Sequence, residues 1–263
     1  MPTFEQRRVL IVVRTYPTPA QKGVEVSCTA AITEDQKWMR LFPVPYRFLT
    51  HERRFRKYQW IEVDVTKASD PRPESYKIRG ESIRVLTEPL GTDKAWELRK
   101  QYTLPLKSHC LCCLRRERDE KGFPTLGIFK PKNIEALIIE ADSPVWSDGQ
   151  LAILRQGDLF EQSPQNELEK VPYCFKYRFR CDHETCKGHT LSCTDWEMGE
   201  SWRKWKDEYG ADWESKFRQR YEREMIGEKD THFYVGTVHK HPGAWIIIGL
   251  FYPPKAAQLG MLY

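Results

Sequence analysis

A loop in the C-terminal half brings three metal-binding residues close together. Cys181, Cys186 and His189 lie in the run RCDHETCKGH, residues 180–189. Zinc prefers thiolate and imidazole ligands in a tetrahedron, and a tight loop between two strands supplies three of them when a fourth comes from elsewhere in the chain. The run therefore predicts a Zn²⁺ ion that clasps a hairpin, and we favour a structural ion held entirely by protein.

The fourth ligand is open among several residues. His183 lies inside the loop, where holding it beside its neighbours would strain a short turn. Cys193 follows His189 closely enough to complete a knuckle-like turn. His239 and His241 lie further along the chain, and we favour His239 because the strand that it ends would pair beside the metal hairpin. In the competing interpretation, these are ordinary buried cysteines and solvent-facing histidines.

Other cysteines are expected to fill the core. Cys110, Cys112 and Cys113 form a cluster at the start of a predicted helix. Adjacent positions on a helix point in different directions, so we expect small buried side chains there rather than metal ligands. Cys28 and Cys174 each lie on a predicted strand, and we expect both to be buried as well.

Composition bounds the class of protein. Hydrophobic residues make up 40% of the 263 residues and aromatic residues 13%, which is typical of a packed globular protein. The net charge of +5 permits a nucleic-acid partner without demonstrating one. No apolar run approaches the roughly 18 residues of a membrane span, and residues 9–13 precede Arg14 rather than a small-residue cleavage site. We therefore expect a cytoplasmic protein without a membrane partner, in which clustered cysteines indicate metal binding or burial.

Period-two alternation predicts strands with an aromatic face near the N-terminus. In the segment WMRLFPV, Trp38, Arg40 and Phe42 share one face. In the segment YQWIEVDVT, Trp60 lies on the face opposite Ile61. Several short strands with turn signals in about ninety residues suggest a small barrel.

The remaining pattern predicts an α+β chain with three parts. Residues 1–91 form the N-terminal barrel, and residues 92–123 form a helical bridge. Residues 124–263 form a C-terminal module with the zinc-clasped hairpin and a long helix. Its clearest strand is residues 173–181, YCFKYRFRC, where aromatic and cationic residues alternate.

Nucleic acid is the partner that the surface chemistry favours. Single-strand binders combine cations that follow the phosphates with aromatic rings on which bases stack. The N-terminal module interleaves both types, although a solvated face above core aromatics gives the same pattern. The predicted contact residues are Trp38, Arg40, Arg53, Arg54, Arg56, Lys57 and Trp60.

No recognisable reaction follows from the sequence. The deaminase pattern, the His-Glu-x-x-His motif, the phosphate loop and the nucleophile elbow are all missing from it. Asp195 and Glu197 are the weak catalytic candidates, since a carboxylate beside an open metal moves protons. We favour a different role for them at a helix start, where carboxylates cap free amides and complement the dipole.

Three segments carry a family resemblance. The segments CTAAI (28–32), WMRLFPV (38–44) and YQWIEV (58–63) resemble uncharacterised bacterial proteins whose N-terminal part is similar to dual OB-fold domains and whose genes often lie near mobile-element or phage-defence genes. The resemblance covers about the first ninety residues. It implies two OB-like β-barrel modules, with residues 126–251 as the second barrel, and single-strand binding on one barrel face.

Three functions follow as hypotheses. The first is a nucleic-acid-binding protein with a structural zinc site, acting with other protein subunits as an accessory or sensor in a bacterial defence or mobile-element system. The second is a metal-dependent nuclease or nucleotide-processing enzyme with Asp195, Glu197 and His239 near the metal. The third is a protein-interaction scaffold.

Overall fold

The chain folds into strands and helices that group into two units. This computed structural model describes residues 3–20, 24–156, 167–239 and 241–255. One unit contains Met1–Pro89 and Asp142–Pro172, and the other contains Leu90–Ala141 and Tyr173–Tyr263. Together they confirm a mixed α+β protein. Within the described residues, none of the helices has the length and apolar character needed to cross a membrane.

The first unit contains β1 (Glu5–Arg14), β2 (Thr18–Ala20), β3 (Val24–Thr33), β4 (Trp38–Val44), β5 (Trp60–Lys67), β6 (Ser75–Ile78) and β7 (Arg84–Val85), with 3-10 turns at Tyr46–Phe48, His51–Arg53 and Gly80–Ser82. The second contains α1 (Asp93–Thr103), a 3-10 turn at Leu104–Leu106, β8 (Lys107–Ser108), α2 (Leu111–Lys121), β9 (Leu126–Phe129) and β10 (Asn133–Ala141). Helix α3 (Asp148–Gln156) returns to the first unit. The second unit then continues with β11 (Tyr173–Arg180), β12 (His189–Cys193), α4 (Trp196–Tyr209), a 3-10 turn at Gly210–Asp212, α5 (Trp213–Arg218), a π-helical segment at Gln219–Glu224, α6 (Met225–Gly227), β13 (His232–Val238) and β14 (His241–Phe251).

Five strands of the first unit close into a barrel. The pairing runs β1–β3–β4–β6–β5 and returns from β5 to β1. The β4–β6 pair is parallel, and the other pairs of the ring are antiparallel. Strands β2 and β7 extend the ring by pairing with β3 and β5. The barrel predicted from the sequence is therefore confirmed.

Alternation decides which side chains fill this barrel. Met39 and Leu41 point inward and are buried, as the sequence predicts, whereas Phe42 is 41% exposed. Each fully buried aliphatic side chain stabilises the fold by about 1.5–3 kcal/mol relative to an exposed one. The interior is completed by Val9, Ile11, Ala31, Val44, Leu49, Phe55, Ile61, Val63, Val65 and Ile83.

Residues Asp142–Pro172 group with the barrel unit. Helix α3 packs against β2 and β3, and the Tyr16 hydroxyl donates to the Glu169 carbonyl at 2.9 Å. The sequence assigned this stretch to the C-terminal module because it follows β10 directly along the chain.

The second unit contains a seven-stranded sheet in the order β10–β11–β12–β14–β13–β9–β8. The pairing order is linear in the described residues, so these strands form an open sheet where the resemblance implied a second barrel. Strand β11 alternates as predicted, with Phe175, Tyr177 and Phe179 buried and Arg178 exposed. Cys174 lies on the exposed face, which corrects its predicted burial, because it is one residue out of phase with the buried aromatic residues.

Candidate metal centre and nucleic-acid surface

The β11–β12 hairpin brings the three predicted metal ligands together. Phe179 on β11 pairs with His189, the first residue of β12. The loop between these two strands carries Cys181 and Cys186 and therefore lies next to His189. Gly188 has a φ of 95°, a left-handed conformation that glycine adopts without a steric cost. This turn lets the chain re-enter the sheet directly after Cys186.

A fourth candidate ligand, Cys112, lies in the first turn of α2. One ligand atom from each of Cys112, Cys181, Cys186 and His189 lies within 4.8 Å of the others. The His189 Nε2 atom is 3.2 Å from the Cys112 Sγ atom and 3.3 Å from the Cys186 Sγ atom. The four side chains are therefore positioned to hold one metal ion.

Backbone amides stabilise negative charge on two of the sulfur atoms. Burial raises the pKa of Cys181, but amides of Leu111 and Cys112 at the start of α2 donate to its sulfur and oppose this rise. Burial also raises the pKa of Cys186, yet hydrogen bonds from the amides of Cys181 and Gly188 outweigh it, so the net pKa is lowered. The amides therefore favour the thiolate at Cys186, whereas at Cys181 they reduce the effect of burial and the net pKa stays raised.

The other two ligands are shaped by burial and by neighbouring charge. Burial and the charge of Cys181 raise the pKa of Cys112 to about 12. Burial and the positive charge of Arg115 lower the pKa of His189, which keeps its imidazole neutral and able to coordinate. A divalent cation would offset the repulsion among the crowded thiolates.

The structure brings together the three residues predicted from the hairpin but replaces the favoured fourth ligand. His239 follows β13 and is exposed, while His183 contacts Thr185 and Cys193 is buried opposite Phe175 on β12. None of the three belongs to the group of four candidate ligands found in the described part of the chain.

Cys112 was missed because the helix argument was applied to its cluster as a whole. Adjacent helical side chains do diverge, but that divergence still allows one of them to face the loop. Cys112 faces His189, whereas Cys110 and Cys113 contact each other. The sequence signal was a cysteine in the first turn of a helix, where backbone amides favour a nearby thiolate.

A cleft of about 1020 Å³ adjoins Cys181 and Cys186. Its rim mixes charges of both signs: Lys132 pairs with Asp182 at 3.3 Å, and Arg180 pairs with Glu135 at 2.9 Å. The remaining lining residues are His109, Asn133, His183, Glu184 and Thr185.

Trp38 and Trp60 lie in one cross-strand row on the outside of the barrel. Trp38 pairs with Ile32, Ile32 with Leu10, and Leu10 with Trp60. Three strand spacings of about 4.8 Å put the two tryptophan positions about 14 Å apart along the barrel surface. Both tryptophans are partly exposed, while the aliphatic residues between them are buried.

Two of the predicted cations have structural roles. Arg40 is only 2% exposed, and its guanidinium donates to Ser75 Oγ at 3.3 Å. Arg54 donates to the carbonyls of Leu49 and Arg47 at 3.0 and 2.9 Å. The prediction of phosphate contact needs correction for Arg40, because alternation and charge indicate a face but not whether that face is open to solvent. Arg54 is exposed, so its phosphate contact stays a prediction.

The other predicted cations lie on the surface at the end of the second 3-10 turn and directly after it. Arg56 is exposed, and Arg53 and Lys57 are partly exposed. They flank Phe55, which is buried in the barrel interior. This anchor fixes the backbone that carries them.

Asp195 and Glu197 lie at the start of α4, which confirms the helix-start interpretation. Asp195 is the N-cap, and its Oδ1 accepts from the Glu197 amide at 2.7 Å. Its Oδ2 accepts from the buried Leu250 amide at 2.8 Å, so one carboxylate joins the helix to β14. Glu197 Oε2 accepts from the Tyr252 hydroxyl at 3.3 Å.

Comparison with known proteins gives two family matches. The model described as Domain of unknown function (DUF8757) matches residues 107–262, more than half of the chain. The chain belongs to the DUF8757 family. The DUF8757 match contains all four residues of the metal cluster. A second model, Domain of unknown function (DUF8758), matches residues 5–105, which include the barrel. No curated protein matches the chain.

Proposed function

We propose that this protein binds single-stranded nucleic acid on an OB-like barrel and holds a structural Zn²⁺ ion in its second unit. The strand order of the barrel carries the proposal. The third barrel strand, β4, pairs in parallel with the fifth, β6, and the fourth, β5, closes onto β1. This is the connectivity of an OB-fold, an architecture that binds oligonucleotides on the face of its second and third strands.

One exposed and two partly exposed aromatic residues support a stacking surface. Trp38 begins the third barrel strand, Phe42 projects from the same strand, and Trp60 lies in the row of Trp38. Aromatic rings of this kind stack with bases of any sequence. Arg53, Arg54 and Arg56 supply surface cations for phosphates, whereas Arg40 is buried in the fold.

The donor set supports zinc as the metal. A tetrahedral site with Zn–S near 2.3 Å and Zn–N near 2.0 Å has S···N edges of about 3.5 Å. The two S···N distances, 3.2 and 3.3 Å, lie within about 0.3 Å of that value. Four protein ligands fill a tetrahedron, and this favours a structural ion over the metal-dependent enzyme, which keeps one position open.

Fluorescence anisotropy with labelled single-stranded DNA and RNA tests the nucleic-acid proposal. We expect Trp38→Ala and Trp60→Ala each to cost about 1–3 kcal/mol of binding free energy with little change in salt dependence. We expect Arg56→Ala to weaken binding to all sequences and to lower the salt slope by about 0.7, the value for one phosphate contact on a single strand.

Lys204→Ala is the matched control for the lost charge. Lys204 is exposed on α4 in the second unit and does not belong to the barrel. It should leave affinity unchanged. Folded tryptophan and arginine variants that all bind like the wild type would contradict the proposed surface and favour a scaffold that meets protein.

The wider role rests on the family resemblance of the N-terminal segments. We place the protein as an accessory or sensor subunit, with protein partners, in a bacterial defence or mobile-element system. Co-purification from the native host, with and without nuclease treatment, tests this placement. Recovery of the protein alone under both conditions would argue against an assembly.

A further inference from the structure

Two thiols beside the metal ligands are already in contact. The Cys110 and Cys113 Sγ atoms are 2.7 Å apart, closer than the van der Waals contact of two sulfur atoms. Cys110 is the N-cap of α2, and its sulfur accepts a hydrogen bond from the Cys113 amide at 3.1 Å. The pair forms a Cys-x-x-Cys motif at a helix N-terminus, the arrangement in which disulfide oxidoreductases hold their reactive cysteines.

We propose that Cys110 and Cys113 form a reversible disulfide that is separate from the metal centre, with a low-molecular-weight disulfide as the oxidant. The exposure of each thiol indicates which of the two reacts with the oxidant first. Cys113 is partly exposed and meets the oxidant first, while Cys110 is fully buried and acts as the resolving thiol.

The exchange balances without any further reagent. The Cys113 sulfur attacks one sulfur of oxidised glutathione, and the first glutathione leaves with the proton of that thiol. The Cys110 sulfur then attacks the Cys113 sulfur, and the second glutathione leaves with the Cys110 proton. The protein loses two electrons and two protons, and the oxidant becomes two thiols.

The metal ligands stay outside this reaction. Cys112 lies between the two cysteines in the sequence, but its sulfur is turned towards His189 at 3.2 Å. The four clustered ligand atoms belong to other residues than Cys110 and Cys113. Oxidation therefore closes a small ring that includes the backbone of Cys112. It does not oxidise or modify any of the four metal-ligand side chains.

Oxidised glutathione added to the zinc-loaded full-length protein tests the proposal. We expect the peptide that carries Cys110 and Cys113 to lose the mass of two hydrogen atoms and two alkylatable thiols, with peptide mapping placing the bond between these two residues. Reduced glutathione should reverse the change, and zinc should remain bound throughout.

Single variants test the order of the two steps. In Cys110→Ser the resolving thiol is missing, so a glutathione adduct should accumulate on Cys113. In Cys113→Ser no adduct should form on Cys110, because that thiol is buried. Cys174→Ser is the matched control: it removes an exposed cysteine on β11 and should leave the disulfide unchanged.

Three outcomes would overturn the inference. The first is that Cys110 and Cys113 remain reduced at a high concentration of oxidised glutathione. The second is that glutathione forms mixed disulfides with the metal-ligand cysteines and zinc is released. The third is loss of zinc from both Cys110→Ser and Cys113→Ser, which would make the pair part of the metal centre. The wild-type measurement needs no variant and therefore decides the question even where a variant fails to fold.

Discussion

Replacing Cys112 by serine tests the metal centre at the ligand that the sequence missed. A serine hydroxyl keeps the shape of the side chain but is a poor ligand for a soft metal site. His239→Ala is the companion variant, because it removes the ligand that the sequence favoured. If Cys112 is the fourth ligand, only Cys112→Ser weakens zinc binding. If His239 is the fourth ligand, only His239→Ala does so.

The expected magnitude follows from the number of ligands. Structural zinc sites contribute about 10–16 kcal/mol of apparent binding free energy. Four residues contribute ligand atoms here, so the mean contribution of each is about 2.5–4 kcal/mol. Cys112→Ser should therefore weaken zinc binding by about 10²–10³-fold, since each factor of ten corresponds to about 1.4 kcal/mol. His239→Ala should bind zinc as the wild type does.

Competition with a colorimetric zinc chelator measures the affinity, and elemental analysis measures the zinc content of the purified protein. Thermal unfolding at fixed free zinc gives an independent check, because a ligand that binds the folded state stabilises it. Wild-type affinity in Cys112→Ser, or weakened affinity in His239→Ala, would refute the assignment. The zinc proposal would be refuted if the wild-type protein copurified with no transition metal and its melting temperature did not change on addition of a chelator.

Two further predictions concern stability. Asp195→Ala removes a helix cap worth about 1 kcal/mol and leaves the buried Leu250 amide unpaired at about 1–3 kcal/mol, so denaturant unfolding should show a loss of about 2–4 kcal/mol. Burial lowers the pKa of His232, so the unfolded state takes up the proton first. Its contribution to stability should be complete above about pH 6.5 and should fall as the pH decreases below that value, at up to about 1.4 kcal/mol per pH unit. In His232→Asn, unfolding measured across this range should lose that part of the acid dependence.

Controls separate these effects from general damage. Asp207→Ala removes an exposed carboxylate from the same helix, α4, and should change stability by no more than about 0.5 kcal/mol. An Asp195→Ala loss as small as this would contradict the bridging role of the carboxylate. Identical acid slopes in His232→Asn and the wild type would show that His232 does not titrate on unfolding.

Local periodicity predicted the strands because it depends only on neighbours along the chain. Met39 and Leu41 must face a core when alternate residues are apolar, and the aromatic row of β11 follows the same rule. The Cys181 to His189 spacing likewise predicted three metal ligands within one hairpin. In each case the residues that act together are close in the sequence.

Local periodicity did not predict contacts between segments that are distant in the sequence. Arg40 carries the same pattern as an exposed cation, yet it is buried and its guanidinium donates to Ser75, a residue 35 positions later in the sequence. The pairing order, which closes the first strands into a ring and leaves the second set open, is equally absent from alternation. Alternation assigns a face to each residue but does not assign a neighbour to that face.

By itself the sequence determined an α+β chain, an N-terminal barrel and three of the four side chains that are positioned to hold a metal ion. Only the tertiary structure decided the fourth, because Cys112 is 69 residues before Cys181 in the sequence and reaches it through the packing of α2 against the hairpin loop. It likewise decided that Trp38 and Trp60 share one row. The physical reason is the same in both cases: short-range periodicity fixes the direction of a side chain, whereas long-range pairing fixes what that side chain meets.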